Sequence, residues 1–148
     1  MDEGTTPVRP YVHHVALTVI DLDASVRWYE AVFAVKHVLD APHEGGTARI
    51  LSDPEMTLMF ALHRHDAAQG EPFAETRTGL DHVGFMVPTR DDLQRWQEHL
   101  ERHGVVRTDQ ADKPLTQSPI SDQPYGSVLV FRDPDNIQLE LFAPPAAH

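Results

Sequence analysis

Along residues 15–19, Val-Ala-Leu-Thr-Val, the larger apolar side chains fall on every second position. That is the two-residue period of a strand with one buried face. The period then changes. Leu22, Val26, Tyr29 and Phe33 recur at spacings of four, three and four, which lays one apolar stripe along a helix, and Asp21 just ahead has the side chain of an N-cap. Strand-like runs follow at about 36–39, 48–51 and 57–62, separated by the turn sequences "HEGG" and "SDPE". The same order returns downstream. Val83, Phe85 and Val87 alternate, and Thr89 can cap a helix whose stripe is Leu93, Trp96 and Leu100. Gly104 stands where a helix end favours positive φ. Runs at about 105–108, 127–131 and 137–142 complete the second set, with "RDPDN" before the last.

The two sets are copies. A shift of 68 positions, without a gap, pairs His14 with His82, Val15 with Val83, Val19 with Val87, Arg27 with Arg95, Trp28 with Trp96 and Glu30 with Glu98. Both tryptophans of the chain fall in register, so the internal repeat governs the fold prediction. The chain reads as α+β: two tandem βαβββ units, about 11–64 and 80–143, in a single domain over 11–143. Their mixed sheets pair to form a concave cleft opposite the helices. The polar stretch at about 65–79 is the expected linker, 109–125 a long loop, and 1–10 and 144–148 flexible tails.

Composition narrows the function. The formal net charge of −11 disfavours nucleic acid, whose phosphates select basic faces. The absence of cysteine removes disulfides, thiolate metal sites and a cysteine nucleophile. No apolar run approaches a membrane span and the first residues lack a signal-peptide layout, so a cytoplasmic protein is expected.

The alternation then locates candidate chemistry. With Val15, Leu17 and Val19 on the helix side, His14, Ala16 and Thr18 face the cleft, and in the second copy so do His82, Gly84 and Met86. In "NIQLELF", Ile137, Leu139 and Leu141 take the helix side and leave Gln138, Glu140 and Phe142 facing inward. An inward carboxylate between two leucines is costly unless it is paired or bound to a cation. His14, His82 and Glu140 make a two-histidine, one-carboxylate set, which leaves open positions on a divalent metal such as Fe(II). His13 has helix-side parity and fits an ordinary structural role. Trp28 and Trp96 read as core. Tyr125, before Gly126 at a strand start, is either a donor to a substrate oxygen or a rim aromatic.

The His-Val starts, the repeated βαβββ pattern and the "FRDPDNIQLELF" ending resemble the vicinal oxygen chelate superfamily, over about residues 11–143. That superfamily includes glyoxalase I, fosfomycin-resistance proteins, methylmalonyl-CoA epimerases, bleomycin-resistance proteins and extradiol dioxygenases. The resemblance implies metal binding by His14, His82 and Glu140, with Fe(II) or Mn(II) favoured and Zn(II) or Ni(II) possible. It implies a small-molecule substrate whose oxygens bind the metal, dioxygenase-like chemistry ahead of lyase or transferase chemistry, and a homodimer. The metal site can then lie within one chain or be shared by two. Glyoxalase I carries a further ligand on the last strand of its first unit, where this chain has Phe60 or, with a one-residue slip, Ala61. Neither binds metal, which favours the members with three protein ligands. His63, and beyond it His65, are candidate acid–base groups near that strand. A bleomycin-resistance-type binding protein is the alternative from another class. A fosfomycin-type transferase would want basic residues for a phosphonate, but loop 109–125 has one lysine, Lys113, and three aspartates.

Overall fold

The structure, a computed structural model, describes residues 4 and 6–146. The expected tails fall partly outside these residues. Unit one comprises β1 (Val15–Thr18), α1 (Leu22–Phe33), β2 (Lys36–His43), β3 (Gly46–Ser52) and β4 (Met59–His65). Unit two comprises β5 (Val83–Met86), α2 (Arg90–Arg102), β6 (Val106–Arg107), β7 (Thr116–Gln117), β8 (Ser121–Gln123), β9 (Gly126–Arg132) and β10 (Gln138–Ala143). The first sheet runs β1-β4-β3-β2 and the second β5-β10-β9-β7-β6, with β8 on β9. In each, the first strand of the unit lies parallel to the last and forms one edge. The tandem βαβββ architecture is therefore present, and no described helix is long and apolar enough to cross a membrane.

The local signals act as their chemistry requires. Asp21 accepts from the Ala24 amide, and Thr89 and Asp92 form a reciprocal capping box. Gly104 has φ +82 and Gly45, in the "HEGG" turn, φ +84. Two boundaries differ from expectation. Strand β4 continues to His65, so His63 and His65 are sheet residues and the linker starts later. Loop 109–125 is not free of structure, because β7 and β8 extend the second sheet there.

Helix-side residues of both units enter one shared core. Phe33, on α1, has ring centroids within 5.0–6.1 Å of Phe60 in its own sheet and of Phe85, Trp96 and Phe131 in the other unit. The "RDPDN" turn fastens this junction. Asp133 Oδ1 accepts from the Asp135 and Ile137 amides at 2.8 Å, as Asp53 Oδ1 does from Thr57 and Leu58 in the first copy. In the second copy Asp133 Oδ2 also accepts from the Tyr29 hydroxyl at 2.7 Å, and Asp135 from the Ile20 amide at 3.1 Å. The side chains of this turn therefore join the two units as well as shaping its backbone.

Burial pushes Asp133 up to about 6, against the donors that favour its anion. Its folded value lies above the unfolded one, so protonation stabilises the fold. That contribution is full below its ordinary 3.8 and is lost as pH rises through about 6. We expect Tyr29→Phe to lower unfolding free energy by about 1–3 kcal/mol, because it leaves a buried acceptor short of a donor. We also expect Asp133→Asn to flatten the fall in stability across that interval, both read from urea unfolding at several pH values.

Candidate metal centre

On the second sheet, β5 and β10 bring two of the three predicted donors together. Glu140 pairs in register with Gly84, two residues after His82. His82 Nε2 lies 3.7 Å from Glu140 Oε2, a gap that a cation about 2.0–2.2 Å from each atom spans. Gly84 lies beside that gap: a Cβ there would meet Glu140 Oε2 at 3.4 Å, an ordinary van der Waals contact. His82 Nδ1 lies 2.7 Å from Asp81 Oδ1. Asp81 itself is held by the Gln138 amide, which donates to its carboxylate and its carbonyl at 3.0 and 3.1 Å. A carboxylate on Nδ1 fixes the ring proton there and leaves Nε2 as the free lone pair, the arrangement of metal-bound histidines. Glu140 is 24% exposed at its side chain, reachable from outside yet partly desolvated.

The first sheet is built differently. Ala16 pairs with Ala61 as Gly84 pairs with Glu140, so Ala61 is the repeat mate of Glu140 and the slipped alignment is the structural one. Phe60 matches Leu139 and is fully buried in the core. His63 pairs with Thr18 as Phe142 pairs with Met86, which puts it on the same outer face. His13 is not a helix-side strand residue. Strand β1 begins at Val15, both preceding histidines are exposed, and their Nδ1 atoms lie 2.9 Å apart. His13 thus occupies the place that Asp81 has in the second copy.

Both units turn their apolar faces to the shared core, and the candidate donors lie on the outer faces. Among the described residues no group of three His, Asp or Glu side chains stands in metal-holding geometry. His14 is not grouped with the His82–Glu140 pair in this geometry. Tyr125 lies beside that pair's strand: its ring stacks parallel on Phe142, centroids 6.4 Å apart, and it is exposed. His63 is held below its ordinary 6.5, first by burial and then by His43, His65 and His14 around it.

A cavity of about 510 Å³ lies between the β1 edge, the starts of β5 and β10, and the linker. His82 lines it, whereas His14 and Glu140 do not. Arg132, buried beneath, donates to both oxygens of Glu75 at 2.7 and 3.1 Å and so ties the linker down.

A family model described as the glyoxalase/bleomycin resistance protein/dioxygenase superfamily matches residues 11–141. The chain belongs to that superfamily. A member structure, the glyoxylase/bleomycin resistance protein/dioxygenase domain from Frankia sp. EAN1pec, is 33% identical with a TM-score of 0.80, over 95% of this chain and 96% of that one. A probable trivalent organoarsenical cleaving enzyme of Bacillus subtilis (strain 168) is 26% identical over 129 residues, 87% of this chain and 77% of the relative. The fold is also shared with a mutant of the fosfomycin resistance protein FosX from Listeria monocytogenes, complexed with Mn(II) and dihydroxypropylphosphonic acid. That structure is 17% identical with a TM-score of 0.59, over 91% of this superfamily member and 93% of FosX.

The sequence places Gln138 on the cleft side with Glu140 but does not single out Asp81, which Gln138 holds beside His82. The signal was present in the repeat itself: the residue before the strand histidine is Asp in one copy and His in the other. The Arg132 guanidinium holds Glu75 down to about 2, so this pair stabilises the folded linker above Glu75's ordinary 4.5 and is lost as pH falls towards 2. We expect Glu75→Gln to raise hydrogen exchange at 66–80 at neutral pH, with exchange in β3 and β9 unchanged.

Proposed function

We propose that this superfamily member is a divalent-metal enzyme acting on a small oxygenated substrate. Its metal is held by His82 and Glu140 of one chain and by His14 of a second copy, in a homodimer. The observation that carries this reading is the half-built centre: a histidine oriented by Asp81 faces a carboxylate 3.7 Å away, while His14 sits exposed on the other sheet. Strands β1 and β5 are each bonded on one side only, and free edges accept further strands. His14 and His82 precede those edges at equivalent positions. A two-fold dimer that lays β1 along β5 of the partner therefore brings His14 to the partner's His82 and Glu140.

Two imidazoles and one carboxylate suit Fe(II) or Mn(II), and Zn(II) or Ni(II) can be held by the same atoms. When bound, the cation supplies stabilisation of negative charge on substrate oxygens and, as Fe(II), a place for O₂; dioxygenase-like chemistry is the form we favour. The chain's own groups do the rest. Asp81 keeps the proton of His82 on Nδ1. Tyr125 stands over Phe142 with its hydroxyl available to donate to a substrate oxygen. Phe142 and Met86 line the face beside Glu140 with apolar surface. Trivalent arsenic is soft and prefers thiolates, and this chain has no cysteine to capture it. A substrate that chelates through oxygen is therefore the better match.

Complementation between variants tests the shared site. His14→Ala and Glu140→Ala should each lose metal as pure proteins. Unfolded together and refolded, they should regain about one quarter of the wild-type metal and turnover of catechol-like substrates with O₂, since half the dimers are mixed and each mixed dimer has one intact site. No recovery, with the mixed dimer verified by mass, would overturn the shared arrangement. Asp81→Ala should weaken metal binding by about 10–100-fold while leaving dimerisation intact.

A further inference from the structure

The outer face of the first sheet carries a second histidine cluster that the reading above does not use as a metal site. His43 ends β2, and His63 and His65 lie two residues apart on β4. Their ring centroids lie 5.2, 5.3 and 5.8 Å apart. In register, Gly46 stands between His43 and His65, and Ala41 and Ala48 stand beside His63. The three rings therefore lie over a floor of small residues. A Cβ at Gly46 would come within 2.9 Å of Cε1 of His43, and closer still to the Arg64 carbonyl oxygen.

Two details separate this cluster from a chance group of surface histidines. His43 Nδ1 is 3.0 Å from the Glu44 carbonyl oxygen. That acceptor fixes the proton on Nδ1 and leaves the Nε2 lone pair free. Nε2 then accepts from His63 Nδ1 at 3.3 Å, and a cation here would take the place of that shared proton. The distance is long for an imidazole hydrogen bond. It is the edge of a tetrahedron around a cation with Zn–N distances of 2.0–2.1 Å, about 3.3–3.4 Å.

We propose that His43 and His63 form the nucleus of a second transition-metal site, separate from the His82–Glu140 centre, for a borderline cation such as Zn(II), Ni(II) or Cu(II). His65 is its third imidazole. The three rings do not already surround one point, and His65 is exposed, so it closes on the cation by a side-chain rotation at the sheet surface. Borderline first-row metals accept imidazole well, and a set without a carboxylate selects them over Ca(II) and Mg(II). In this role His63 is a metal ligand in place of the acid–base group expected from its position in the chain.

The test uses untagged full-length protein in a His82→Ala/Glu140→Gln background, so that failure of the first centre and failure of this one read out separately. Zinc is titrated against a chromogenic chelator, with long-range ¹H–¹⁵N spectra of the imidazoles followed in parallel. We expect one zinc per chain to remain in that background, with the His43 Nε2 and His63 Nδ1 resonances moving on binding. Adding His43→Gln or His63→Gln should lower its affinity at least about tenfold, with the circular dichroism unchanged. Three results would overturn the proposal: no zinc bound in that background, binding indifferent to His43→Gln and His63→Gln, or binding abolished by His13→Gln, which would place the ion at the His13–His14 pair.

Discussion

The junction between the two units decides what the rest of the molecule can do. Tyr29 reaches from the first helix to Asp133 in the second unit, and Phe33 packs among Phe60, Phe85, Trp96 and Phe131. A buried carboxylate tolerates its desolvation only when donors surround it, and here one hydroxyl and two backbone amides do so. Pinning both units by their helix sides leaves their other faces turned outward, and among the described residues His14 does not share one metal-holding group with His82 and Glu140.

The repeat has diverged along that line. The second copy has the oriented histidine and the carboxylate: His82 with Asp81, and Glu140 beside Gly84. The first copy keeps the strand histidine His14 but has Ala61 where the carboxylate would stand and His13 where the orienting aspartate would stand. It carries His43, His63 and His65 on its own sheet. One sheet thus presents a mixed nitrogen and oxygen donor set and the other an all-imidazole set. These sets favour different cations, because carboxylate adds charge and hardness that imidazole lacks.

Much of this was legible in the sequence because it depends on local periods. The parity of Val15, Leu17 and Val19 placed His14 outward, and the parity of Ile137, Leu139 and Leu141 did the same for Glu140. Leu17 and Val19 are nearly buried, as are Ile137, Leu139 and Leu141. Caps at Asp21 and Thr89 fixed the helix starts because their partners lie within one turn. The misses share one cause: contacts between residues remote in the chain leave no periodic trace. Asp133 looked like a turn residue because its partner Tyr29 lies 104 positions away. Strand β4 ran past Leu62 because Gly46 and Thr47 continue the ladder beside His65 and Arg64, and a polar "HRH" gives no alternation to reveal it. The histidine cluster emerged from that same unforeseen extension.

Native mass spectrometry of protein loaded anaerobically with Fe(II) or Mn(II) bears most directly on the central claim, that the His82–Glu140 centre is finished by a second chain. Run beside the His43→Gln/His63→Gln variant, so that the first-sheet cluster does not contribute, it should show metal on dimers at two per dimer and none on monomers. The same metal-to-chain ratio on monomers and dimers, undiminished by His14→Ala, would contradict it.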